Sequence, residues 1–226
     1  MLSSKPGASP LRATPQAVPE IRKSERTRAK ILNAALDFLW SNPFRDMTVS
    51  TLMDTTGVSR SAFYRYFTDL HDVMTTLLDM VQEEILVTAE PWIAGVGDPV
   101  ALMHEAMDGL VRVCYERGPF IRAMSDAAAT DERFATAWRE FLGRFDEAAR
   151  ARIEADQHQG LITGCDAGPV AFALNRLDAS TLIDAFGQHP RMEPEPIRDA
   201  LTRIWISTLY RSDWLTSKSS SLNRTR

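Results

Sequence analysis

The eleven residues "GVSRSAFYRYF", positions 57–67, carry four aromatic rings and two guanidinium groups. Wound as a helix they sort by face. Phe63, Phe67 and Ala62 fall on one side. Arg60, Ser61, Tyr64 and Arg65 fall on the other, with Tyr66 on the flank. Arginine forks and hydroxyls set side by side suit phosphate oxygens and base edges. Upstream, Arg22, Lys23, Arg26, Arg28 and Lys30 crowd what reads as the start of a helix. Cations there oppose the helix dipole by roughly 0.3–1 kcal/mol each, so their repetition points to an external anion. The plain alternative is a small helical corner with solvated arginines. Charge distribution favours the anion. Residues 1–72 hold ten Lys/Arg against seven Asp/Glu, and the remainder sixteen against twenty-three. A polyanion would therefore meet the front of the chain.

Three short helices must hold this face. The first is amphipathic, from Ser24 to about Ser41, with Pro43 just past its end. The second starts at Thr48, whose hydroxyl caps free amides. Gly57 supplies the left-handed residue that stops it. Ser59 then caps a third helix, and Val58 and Phe63 have the spacing of a hydrophobic staple. Two helices joined by a tight glycine turn form a helix-turn-helix, whose second helix enters the DNA major groove.

Beyond residue 69 the apolar period is helical throughout, as in Met103, Met107, Leu110, Val111 and Cys114, or Phe134, Trp138, Phe141, Leu142 and Phe145. Convincing alternation of period two is absent. The fold class is all-α, with about nine helices separated at Pro43, Pro91, Pro99, Pro119, Pro169 and Pro190. The expected division is a disordered arm over 1–21, a DNA-binding domain over 22–68, a ligand-binding and dimerisation domain over 69–215, and a disordered tail over 216–226. The sequence holds no GxSxG, Walker A or HExxH motif, so neither an enzyme nor a cofactor is expected. The two cysteines form no CxxC pair and the four histidines are scattered, which argues against a metal site and for reduced thiols in the cytoplasm. No leader-like apolar region and no run of 18 apolar residues appears, so no membrane contact is expected.

The segment "TRAKILNAALDFLWSNPFRDMTVSTLMDTTGVSRSAFYRYFTDLHDVMTTLL" resembles the DNA-binding domain of the TetR family. The resemblance implies a one-component transcriptional repressor, active as a homodimer on a palindromic operator in double-stranded DNA. It places Thr48 and Ser59 at helix N-termini against phosphate and Arg60, Ser61, Tyr64 and Tyr66 at contact positions. Arg65, Arg26 and Arg28 join them from the basic face. One departure stands out: the family usually has a phosphate-reaching lysine near the start of the fourth helix, where this chain has Leu70, followed by His71.

"FALNRLDASTLIDAF" and "IRDALTRIWISTLY" are similar to the last two helices of the EthR-like subgroup of that family. This implies a long apolar channel for a small apolar effector, lined here by Met103, Met107, Leu110, Cys114, Leu142, Phe145, Asn175, Asp178 and Trp205. Asn175 is either a polar anchor for the effector or half of a helix–helix hydrogen bond. Asp178 replaces a second asparagine and must be paired, exposed or protonated. Arg152 is its candidate partner. The last two helices, about 167–187 and 194–212, would build a four-helix dimer contact. Two other readings remain open: the same fold controlled by a partner protein without a ligand, and a helical small-molecule-binding protein not used on DNA.

Overall fold

The computed structural model describes residues 17–210. They form eight α-helices and one 3-10 turn, with no strand among the described residues. The head comprises α1 (Ala17–Leu39), the 3-10 turn (Phe44–Asp46), α2 (Val49–Thr56) and α3 (Arg60–Phe63). The body comprises α4 (Leu70–Ala94), α5 (Pro99–Ala128), α6 (Glu132–His158), α7 (Ala167–Phe186) and α8 (Pro194–Leu209). The arm expected over 1–21 and the tail over 216–226 lie largely outside the described residues. Positions 17–21, however, are helical backbone rather than arm. That earlier start moves Lys23, Arg26, Arg28 and Lys30 beyond the first turn of α1. Dipole effects fade within one turn, so these cations carry no such penalty and their case for an anion rests on exposure alone.

The head is built around α3, which has too few residues to be stable alone. Ile31 and Ala35 of α1, Leu52 of α2, Phe63 and Phe67 are fully or almost fully buried together. Local signals set the turns. Thr48 Oγ1 accepts from the Thr51 amide, and Thr51 Oγ1 accepts from the Thr48 amide, closing a capping box. Gly57 ends α2 at φ +66°, a conformation that costs glycine little.

Eight helices replace about nine because two prolines do not break them. Pro91 lies in the last turn of α4 and Pro119 lies inside α5. A proline in a helix interior typically costs about 3 kcal/mol, partly through the carbonyl four residues back that loses its donor. For Pro119 that carbonyl belongs to Tyr115. Arg191, from the α7–α8 connection, donates to it from Nη1 at 2.6 Å. Its guanidinium also lies 3.8 Å from the Tyr115 ring centroid and 4.8 Å from that of Trp40 at the end of α1. Gly118 completes the accommodation, since a Cβ there would collide with the Phe186 carbonyl. Pro169 sits in the first turn of α7, where a missing amide matters little.

The far end of α4 is fastened by a buried polar cluster. Arg152 and Asp156, both on α6 and both buried, pair with Nε to Oδ2 at 3.0 Å and Nη2 to Oδ1 at 2.6 Å. Tyr210 donates to Asp156 Oδ2 at 2.9 Å, and Trp92 of α4 donates from Nε1 to the Tyr210 oxygen at 3.0 Å. The Arg152 guanidinium fills the space that a side chain at Gly95, the α4 cap, would need. Among the described residues no helix is long and apolar enough to cross a membrane.

Arg191→Ala should leave the Tyr115 carbonyl without its donor and cost about 1–3 kcal/mol in urea unfolding. Arg191→Lys should recover part of that loss. A change under about 0.5 kcal/mol in the alanine variant would show that the proline is tolerated for another reason.

Candidate functional site

The helix-turn-helix presents one polar face. α3 proper is a single turn. Hydrogen bonds from the Tyr66 and Phe67 amides to the Phe63 carbonyl carry the coil onward to the start of α4. Ser59 Oγ accepts from the Ala62 amide at 3.2 Å and lies 3.1 Å from Ser61 Oγ. Arg60, Ser61, Tyr64 and Arg65 are exposed, Tyr64 by 51% despite its ring, and Tyr66 is half-buried. The Arg65 guanidinium stands 5.8 Å from the Tyr66 ring centroid. Thr48 is exposed at the other helix N-terminus and Arg26 on α1. Arg28 differs from the rest. Its Nη2 reaches Thr76 Oγ1 on α4 at 3.4 Å, and its guanidinium lies 5.2 Å over Phe67, so it braces the head against α4. Leu70 is half-buried and packs on the core. That burial accounts for an apolar residue where a phosphate-reaching lysine is usual.

The head meets the body at α4, α5, α6 and the α7–α8 connection. Asp69 caps α4 by accepting from the Asp72 amide at 2.9 Å, and this bond, helped by Arg133, holds its carboxyl below the usual carboxylate range. Arg133 Nη1 donates to Asp69 at 3.3 Å. Phe134 packs between His71 of α4, tilted with centroids 4.7 Å apart, and Phe44 of the head, edge to face at 5.4 Å.

Within the body, a cavity of about 110 Å³ opens between α4, α5, α6, α7 and α8. Met103, Met107, Leu110, Cys114, Leu142, Phe145, Asn175, Asp178 and Trp205 all line it. Sequence reasoning did not single out Ile85, Leu86, Trp92, Ile121 and Leu182 as wall residues, and gave Trp138 and Phe141 only as members of an apolar helical stripe. Their signal was present as helical periodicity, but that period alone does not separate a cavity wall from filled core. Asn175 makes a helix–helix bond, its Nδ2 donating to Asp146 Oδ1 on α6 at 3.0 Å, and lines the cavity as well. The expected Arg152–Asp178 pair does not form. Arg152 turns to Asp156, one turn along the same helix, where i,i+4 geometry brings the two together.

Residues 31–69 match the family model described as bacterial regulatory proteins, tetR family, and residues 103–211 match the model described as transcriptional regulator EthR, C-terminal domain. The chain belongs to the TetR family. It is similar to the HTH-type transcriptional regulator EthR of Mycobacterium tuberculosis strain H37Rv, at 27% identity over 184 residues covering 80% of this chain and 85% of that protein. The protein of the same name from Mycolicibacterium smegmatis is 24% identical over 201 residues, 87% of this chain and 93% of its own. Two solved TetR-family structures share the fold. One from Syntrophomonas wolfei has a TM-score of 0.71 at 17% identity, covering 81% of this chain and 94% of its own. One from a Rhodococcus species has 0.69 at 16%, covering 82% and 99%. As a TetR-family member the chain is a DNA-binding transcriptional regulator, and its helix-turn-helix is the face described above.

In this TetR-family body, Asp178 is the electrostatic exception. It is 5% exposed, and Trp205 donates from Nε1 to its Oδ2 at 2.9 Å. Oδ1 has no partner. Burial pushes the carboxyl up to about 7, against the lowering effect of the Trp205 bond. The neighbouring Cys114 thiol is pushed up to about 12 by burial and then by the Asp178 charge.

Two of the four aromatics of "FYRYF" separate fold from binding. Phe63→Ala should destabilise by about 3–5 kcal/mol, since the ring is fully buried. Tyr64→Ala should change melting little and weaken duplex binding by anisotropy; a stable variant with unchanged affinity would remove Tyr64 from the interface. Asp178 yields a pH signature. Its folded pKa lies above the unfolded value of about 3.9, so the native state holds the extra proton between pH ~4 and ~7 and its stability falls across that window as pH rises. Asp178→Asn should flatten this slope and gain on the order of 2 kcal/mol over the parent at pH 8 in urea titrations. A parent slope that survives the substitution would assign the effect to another group.

Proposed function

We propose that the chain is a ligand-responsive repressor that binds a palindromic operator as a homodimer, acts in the cytoplasm and is released by a small apolar effector. The observation that carries this reading is that one helix, α4, takes part in both places. Its first turns follow directly on the recognition turn and meet α1 of the head where Arg28 donates to Thr76, and its last turns wall the cavity through Ile85, Ala89 and Trp92. Pockets for drug-sized ligands run to about 300–1,000 Å³. A cavity of about 110 Å³ must therefore widen for such a guest. Widening moves α4, and the guest weakens DNA binding by the difference of its affinities for the two arrangements.

The dimer reading rests on α7 and α8. Leu177 and Ile204 are 38% and 37% exposed, and Ala173, Ser180 and Thr208 lie exposed along the same two helices. Pairing this face with its copy buries it in an isologous contact and sets two recognition turns at a fixed spacing. Thr48, Ser59, Arg60, Ser61, Tyr64, Arg65 and Tyr66 then address DNA, with Arg26 beside them. Arg28 is assigned a bracing role instead.

The full chain should sediment as a dimer and bind a duplex drawn from its neighbouring intergenic DNA, with affinity falling steeply as salt rises. Leu177→Glu with Ile204→Glu should give a folded monomer that no longer binds specifically. Binding no tighter to that duplex than to random DNA at low salt would refute the repressor reading, and a variant that binds as a monomer would refute the dimer requirement.

A further inference from the structure

Asp178 sets a chemical requirement on whatever fills the cavity. The wall is apolar on every side: Ile85 and Trp92 from α4, Met107 from α5, Phe141 and Phe145 from α6, Leu182 from α7. No lysine, arginine or second carboxylate lines it. The polar groups that do are few. Asn175 spends one N–H on Asp146, the Trp205 indole is committed to Asp178 Oδ2, and the Cys114 thiol is a weak donor held neutral. Asp178 Oδ1 is left as a buried acceptor without a donor.

An uncompensated buried acceptor is costly, and a buried carboxylate more so. An apolar guest that ignored Oδ1 would exclude water and preserve that cost. An anionic guest would face repulsion. A hydroxyl could donate to Oδ1 but would leave a net charge in the apolar wall. A protonated amine supplies both the donor and the opposite charge, and the surrounding indole and phenyl faces favour a cation. The number of N–H groups matters as well. One open oxygen matches one N–H, whereas each extra ammonium proton would itself be buried without an acceptor.

On the reading of this cavity as the effector site, we propose that it selects an apolar tertiary amine, protonated and donating its single N–H to Asp178 Oδ1. The remaining substituents on the nitrogen then rest against aromatic and aliphatic walls. The ionisable group facing Asp178 across the cavity is Cys114 on α5. The cavity faces of α4, α6 and α8 offer none, and α7 contributes Asp178 alone.

The test compares N,N-dimethyl-2-phenylethylamine with its neutral counterpart 2-methyl-4-phenylbutan-2-ol, by calorimetry on the full-length protein at pH 6 and pH 8. The amine is expected to bind at least about tenfold tighter than the alcohol at pH 8. Its advantage should shrink at pH 6, where Asp178 is largely protonated and the amine remains charged. Asp178→Asn should erase the preference at both pH values while still binding the alcohol. Equal binding of the two compounds to the parent protein at pH 8, or a preference that survives in Asp178→Asn, overturns the proposal and leaves the cavity reading intact. Binding of neither compound overturns both. The comparison on the parent protein needs no variant, so a folding defect in Asp178→Asn would not rescue the idea.

Discussion

The buried ion pair of Arg152 and Asp156 is the fixed point of the molecule. Removing one partner from such a pair typically costs about 3–5 kcal/mol, because the other charge is stranded out of water. Here the cluster also includes the Tyr210 hydroxyl, the Trp92 indole and the bare backbone at Gly95. The far end of α4, α6 and the residue following α8 are thereby locked together. The near end of α4 is held differently. Its ion pair, Asp69 with Arg133, has side chains 50% and 60% exposed, and exposed pairs contribute about 0–1 kcal/mol. The far end of the helix is bolted by polar contacts, and the near end is held by apolar burial of Val73, Met74 and Leu77.

The cavity is wired to the bolted end. Trp205 bonds the cavity carboxylate through its indole nitrogen and meets Trp92 edge to face, with centroids 5.7 Å apart. Trp92 in turn bonds Tyr210, and Tyr210 bonds Asp156. Two indoles and a phenol thus span the distance from Asp178 to the fixed ion pair by direct contact. Contiguity of this kind is a physical route for coupling, although contact alone does not measure it. It also explains why Asp178 is tolerated where an asparagine is usual in the subgroup. Trp205 satisfies one oxygen, and partial protonation relieves the charge on the other.

Local chemistry made the head legible. Thr48, Gly57 and Ser59 each dictate a cap or a turn by their own bonding capacity, and Phe63 and Phe67 are placed by helical spacing alone. The polar face followed from these, except for Arg28, whose contact with Thr76 depends on a helix 48 residues away in sequence. The nine expected wall residues came from likeness to a subgroup. Periodicity by itself marks Met103 or Phe145 as buried but not as bordering a void. Errors arose in two ways, a tertiary partner overriding a local rule at Pro119 and a local i,i+4 pair replacing an expected tertiary one at Arg152. Pro119 reads as a break until Arg191 supplies the missing donor from the other side of the fold. Arg152 reads as a partner for Asp178 until Asp156 proves closer on its own helix.

Gly95 caps α4 in the left-handed conformation, at φ +75°, beside the locked cluster. A helix anchored there behaves as a lever with its fulcrum at one end. At 1.5 Å per residue, Ile85, the wall residue of α4 nearest the head, lies about 15 Å from that fulcrum and Leu70 about 37 Å. Rotated rigidly about that anchor, α4 would magnify a sideways displacement at the cavity about 2.5-fold where it joins the recognition turn. On the proposed reading of a dimer released by an effector, a shift of about 1 Å at the wall would become an error of register between two half-sites that must keep step with the pitch of a double helix.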